Sequence, residues 1–128
     1  MKNLLVVSAL IELGAGIMLV CLPSTAVVLL TGAPLETTAA LTVTRIGGAA
    51  LLALGVACAL ACKETQCRTA RGIIIAMLLY NLTAAAIIGF AGIGYGLSGL
   101  LLWPGAILHL LTAVWCVAGL GRPPDSRH

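Results

Sequence analysis

Charge is scarce in this chain: 9% of its 128 residues are Asp, Glu, Lys or Arg, against 61% that are apolar, and the mean hydropathy is +1.15. Soluble globular domains carry about a quarter of their residues charged, so a soluble fold is excluded. Aromatic residues are rarer still, at 4%, and the formal net charge is only +3. The basic residues are scattered through short loops with no interleaved aromatics, which argues against a nucleic-acid partner. Histidine is limited to His109 and the terminal His128, too few for a dedicated metal site.

The cysteines do not make a redox centre. Cys62 and Cys67 enclose the segment Cys-Lys-Glu-Thr-Gln-Cys, which lacks Cys-x-x-Cys spacing and is expected on the reducing side of the membrane. Both also suit S-acylation at the membrane surface, while Cys21, Cys58 and Cys116 read as apolar fillers. The run Gly92-Ile93-Gly94-Tyr95-Gly96 follows no strand, joins two apolar segments and reads as a tight turn rather than a nucleotide loop. Asn81-Leu82-Thr83 matches a glycosylation sequon but lies inside an apolar segment, where it is no acceptor. With no nucleophile beside a base, no metal set and no cofactor loop, neither an enzyme nor a bound cofactor is expected.

What the chain has in abundance is long apolar runs, at about 3–22, 39–62, 70–92 and 100–119. Each is long enough to cross a hydrocarbon core of roughly 30 Å. The first is not a secretory leader, because Glu12 interrupts it and no small-x-small cleavage pattern precedes Pro23. Between the first and second runs, Ala26-Val27-Val28-Leu29-Leu30 is bounded by Pro23 and the Gly32-Ala33-Pro34 break. That stretch is too short to span and predicts an interfacial or re-entrant helix. The expected fold is therefore all-α: one transmembrane domain over 1–128, an antiparallel four-helix bundle with a short interfacial helix between spans one and two.

Lys2, the group Lys63, Arg68 and Arg71, and the pair Arg122 and Arg127 fall on one side of such a bundle. The excess of basic residues on the cytoplasmic side then predicts a multi-pass protein of a bacterial inner membrane with both termini in the cytoplasm. Tyr95 and Trp103 fall at the opposite boundary as interfacial anchors, and Pro104 falls in the first turns of the last span, where its missing N–H is tolerable. Glycine and alanine are plentiful inside the spans, and small residues allow helices to approach closely where no hydrophobic force drives them together.

Two charges lie where hydrocarbon is expected. A charged side chain near the bilayer centre costs roughly 2.5–3.5 kcal/mol on the insertion scale, so Glu12 and Arg45 should face protein and a partner. Their expected depths differ by only about 6 Å at 1.5 Å per residue, within reach of an arginine. Ser8, Glu12 and Gly16 share one face of span one, and Thr42, Arg45, Gly48 and Ala49 one face of span two, by three-and-four spacing. Asn81, next to Tyr80, falls near the middle of span three, and His109 near the middle of span four on a face with Gly105, Thr112, Ala113 and Cys116. Glu12, Arg45, Tyr80, Asn81 and His109 are thus the candidate intramembrane polar cluster. One interpretation is a structural salt bridge between Glu12 and Arg45 with interhelical hydrogen bonds from Asn81 and His109. Another is a polar pocket or proton-linked pathway in which Glu12 and His109 titrate, and a third has Arg45 snorkelling to headgroups instead.

The stretch Thr44-Arg45-Ile46-Gly47-Gly48-Ala49-Ala50-Leu51-Leu52-Ala53-Leu54-Gly55, preceded by Gly32-Ala33-Pro34-Leu35, resembles a group of uncharacterised small bacterial four-span membrane proteins. Leu79-Tyr80-Asn81 and Leu102-Trp103-Pro104, with His109 following, are similar to the same group, so the resemblance covers most of the chain. It implies a fold and no activity; the likeness to DoxX-type four-helix proteins is one of architecture alone. Two functions follow as expectations. The first is an accessory or structural bundle whose small-residue faces pack against the lipid bilayer, a second copy or a larger membrane complex. The alternative is a small, proton-linked transporter or ligand-binding protein, dimeric if it is to enclose a pathway.

Overall fold

The computed structural model describes residues 1–63 and 68–121, all helix, turn or short connection with no strand among them. Cys67, Arg122, Arg127 and His128 lie outside the described residues. The helices are α1 (Lys2–Cys21), α2 (Pro23–Thr31), α3 (Thr38–Ala61), α4 (Arg68–Gly94) and α5 (Leu102–Leu120). All but α2 are long and apolar enough to cross a membrane, with lengths of about 28 to 40 Å at 1.5 Å per residue.

Local chemistry explains the breaks. Pro23 has no N–H to continue the ladder of α1, so Leu22 leaves helical geometry at φ −129° and ψ 53° and Pro23 opens α2 instead. Gly32 ends α2 in the left-handed region at φ 76°, its N–H bonded to the Val28 carbonyl at 2.8 Å. Thr37 caps α3, its hydroxyl accepting from the Ala40 N–H at 3.1 Å. The expected turn over 92–96 begins later: α4 continues to Gly94, and the chain reverses at Gly96 with φ 67°. Gly92 lies within that helix, the place of its side chain filled by Leu102 and Trp103 of α5.

Consecutive spans run antiparallel and form two tight pairs, α1 with α3 and α4 with α5, while contacts between the pairs are sparse. The α1–α3 seam is made of glycine. A Cβ at Gly16 would meet the Gly48 carbonyl oxygen at 2.8 Å, one at Gly48 would meet the Leu19 Cβ at 2.9 Å, and one at Gly55 the Leu13 Cγ at 2.8 Å. Such backbone approach gives van der Waals and polar contact that lipid does not supply.

The two pairs close on each other at the end carrying Lys2, Lys63, Arg68 and Arg71. Leu4, Leu5 and Ala9 of α1, Cys58 and Ala61 of α3, Ala70, Ile74 and Met77 of α4, and Cys116 of α5 form one buried cluster there. Cys58 and Cys116 are the apolar fillers expected, whereas Cys21 is exposed. At the opposite end the pairs are joined through α2. The Leu101 N–H donates to the Leu29 carbonyl at 2.8 Å and the Ser98 N–H to that of Thr31 at 3.3 Å. Gly99 lies so close to the Leu30 backbone that no side chain fits.

The seam makes a test with internal controls. Gly16→Ala and Gly48→Ala should each lower stability by roughly 1–3 kcal/mol, because the obstructing atoms include backbone. Gly14→Ala and Gly47→Ala, where a Cβ meets nothing within 4 Å, should leave the melting temperature in detergent unchanged or raised. Equal effects at all four positions would refute the seam.

Candidate functional site: a cavity above a polar floor

Glu12 occupies the middle of α1, on the face that carries Ser8 and Gly16, and all three are buried. Only 2% of Glu12 is exposed. Its partner is Tyr80 of α4, whose hydroxyl donates to the Glu12 carboxyl group. Tyr80 in turn meets the His109 ring edge-on, with centroids 5.5 Å apart and planes at 85°. That geometry sets the positive edge of one ring against the negative face of the other.

His109 is oriented by Asn81. The Asn81 amide Nδ2 donates to the Met77 carbonyl at 2.7 Å, and its Oδ1 lies 2.8 Å from His109 Nδ1. The carbonyl demands a donor, so the amide oxygen is left to face histidine and Nδ1 must carry the hydrogen. In the neutral ring Nε2 is then an acceptor, and it has no hydrogen-bond partner among the described residues. Thr112, one turn nearer the sealed end, is satisfied by the Leu108 carbonyl at 2.9 Å. Ser8 Oγ is buried with no hydrogen-bond partner.

Arg45 stands apart from this group. It is exposed on α3, and no ion pair joins it to Glu12 among the described residues. The expected shared face is corrected by rotation: three residues turn a helix by about 300°, leaving Arg45 about 60° round from Gly48. With Gly48 locked against α1, that offset carries Arg45 out of the seam. Thr42 and Ala49 are exposed with it, and Gly48 alone of the four is buried.

The structure therefore brings Glu12, Tyr80, Asn81 and His109 together and leaves Arg45 outside. It also places a cavity of about 470 Å³ directly against three of them, Glu12, Tyr80 and His109. Glu12 on α1, Tyr80 on α4 and His109 on α5 lie at its inner end; Ala15, Met18, Leu51, Ala84, Ile88 and Gly105 are among its walls. Ala26 and Leu30 of α2, with Leu101, close the other end. The cavity is partly open at the surface and lies between helix pairs that are packed together at the basic end and joined through α2 at the other. Its volume is within the roughly 300–1,000 Å³ of small-molecule sites, and its mixture of apolar wall and few convergent polar groups is also theirs.

No protein-family model, curated protein or solved structure matches this chain. Nothing in those comparisons bears on the resemblance to four-span bacterial proteins. The cavity and its floor are what bear on function.

The walls of the cavity and the Tyr80 pairing had no local signal in the sequence. Tyr80 stands beside Asn81, but its link to Glu12 crosses between helix pairs. Stability measurements separate the satisfied groups from the unsatisfied one. Asn81→Leu removes the bond to Met77 and strands His109 Nδ1, so it should cost about 1–2 kcal/mol. Ser8→Ala loses no hydrogen bond and should unfold at the same temperature or higher; a large loss would show that Ser8 is bonded in the native protein.

Proposed function

We propose that this small multi-pass membrane protein binds a small ligand within the bilayer, acting as a carrier or receptor rather than an enzyme. The observation that carries the reading is the cavity lying against Glu12, Tyr80 and His109. A packed bundle with a merely structural polar cluster has no need of an unfilled space beside a buried carboxyl group. Voids forfeit dispersion contacts, and buried ionisable groups in spans are costly unless they serve a pathway or a site. We place the protein in a bacterial inner membrane with both termini cytoplasmic, supported by the gathering of Lys2, Lys63, Arg68 and Arg71 at one end of the bundle.

The accessory reading keeps one observation in its favour. Arg45 is exposed beside Gly47, Ala49, Ala50 and Ala53 on the outward side of α3. A small-residue face with a cation suits lateral packing against a second copy or a larger complex. Such association is compatible with ligand binding and would let two bundles enclose a pathway.

Filling the cavity tests the binding role. In detergent, an environment-sensitive phenylnaphthylamine probe should titrate the wild type saturably and lose that site in Ala84→Phe. The variant should melt no lower than wild type, since the new ring occupies empty space. Identical titrations at equal detergent concentration would defeat the reading.

A further inference from the structure

We infer that the ligand is a lipophilic amine, an apolar body carrying an ammonium group seated against Glu12; this rests on the ligand-binding reading above. The polar positions left unpaired at the floor are hydrogen-bond acceptors. The Glu12 carboxyl group already receives the Tyr80 hydroxyl, which leaves its remaining acceptor positions to whatever enters the cavity. His109 Nε2 is an acceptor because Nδ1 donates to Asn81. Among the described residues no Lys or Arg lines the cavity, and apart from Thr83 and the Met18 thioether the rest of the wall is aliphatic or small.

A complementary ligand brings donors and, where Glu12 is ionised, a positive charge. An ammonium group has three N–H donors and no acceptor, so it can serve Glu12 and His109 together. Charge-assisted bonds of this kind are about twice as strong as neutral ones. The faces of Tyr80 and His109 are further sites of favourable charge–quadrupole contact. A carboxylate or phosphate head would meet an acceptor surface with no cation to balance it. A neutral hydroxyl has one donor for two acceptor groups. The apolar walls between the floor and Leu30 require that the remainder of the molecule be hydrocarbon-like.

A matched series with one tail and three heads tests this directly. Equilibrium binding of radiolabelled octylammonium, octanol and octanoate to the detergent-solubilised protein should rank the ammonium tightest, by about tenfold over octanol and more over octanoate. Glu12→Gln should bring octylammonium down to the affinity of octanol while leaving octanol unchanged. If that variant fails to fold, the wild-type ranking still decides. Octanol or octanoate binding as tightly as octylammonium overturns the amine and leaves the ligand site standing. No saturable binding of any member, with Ala84→Phe indistinguishable from wild type, overturns the ligand site itself.

Discussion

Inside hydrocarbon a polar group is satisfied by protein or not at all, and the hydrogen bond between Glu12 and Tyr80 is where this bundle meets that constraint. It spans the gap between two helix pairs that otherwise touch little away from the sealed end. Glu12 sits about 15 Å along α1, too deep for its short side chain to reach either end of the helix. The carboxyl group must therefore find its partners in the interior. Tyr80 supplies the donor, His109 packs on Tyr80, and Asn81, held by the Met77 carbonyl, sets His109, so four residues on three helices form one connected group around a buried acid.

The tight and loose contacts are complementary consequences of residue size. At Gly16, Gly48 and Gly55 the absence of side chains lets α1 and α3 approach until backbone touches backbone. Across the pairs, large side chains fill the sealed end: Leu4, Leu5, Ile74 and Met77 interdigitate with the two buried cysteines. Beyond Glu12 the small residues Ala15, Ala84 and Gly105 face the cavity alongside larger ones such as Met18 and Ile88, and the pairs do not collapse to fill it. They are joined through α2, whose last carbonyls are held by N–H groups of the 95–101 connection. The short helix in this way closes the far end of the cavity.

How much of this was legible depends on whether the cause was local. Four spans follow from run length and hydropathy; the breaks at Pro23 and Gly32 follow from backbone chemistry, and the structure places helix ends within about two residues of the expected ones. The inward face of α1 was legible too, because Ser8, Glu12 and Gly16 repeat every four residues. On α3 the spacing of three between Arg45 and Gly48 leaves a rotation of about 60°, so the expected shared face does not form. A polar pocket at Glu12 and His109 is one of the readings the sequence allows, but its walls have no sequence signature, since a void is a difference between helices and belongs to none of them. Tyr80 as the partner of Glu12 belongs to the same class of unreadable facts.

The opposite fates of the two intramembrane charges follow from side-chain reach. Arg45 lies only about 10 Å from the start of α3, and an extended arginine recovers much of that distance while laying its methylenes along the helix. It can face outward and still bring its guanidinium towards the interface. Glutamate is shorter and Glu12 is deeper, so the same escape is closed to it. A pairing of the two would have drawn Arg45 inward across the glycine seam, forcing α1 and α3 apart where their backbones now touch. The close approach at Gly16 and Gly48 is thus incompatible with an arginine between the helices, and it is this packing that leaves the Glu12 carboxyl group with a hydroxyl for a partner and a cavity beside it.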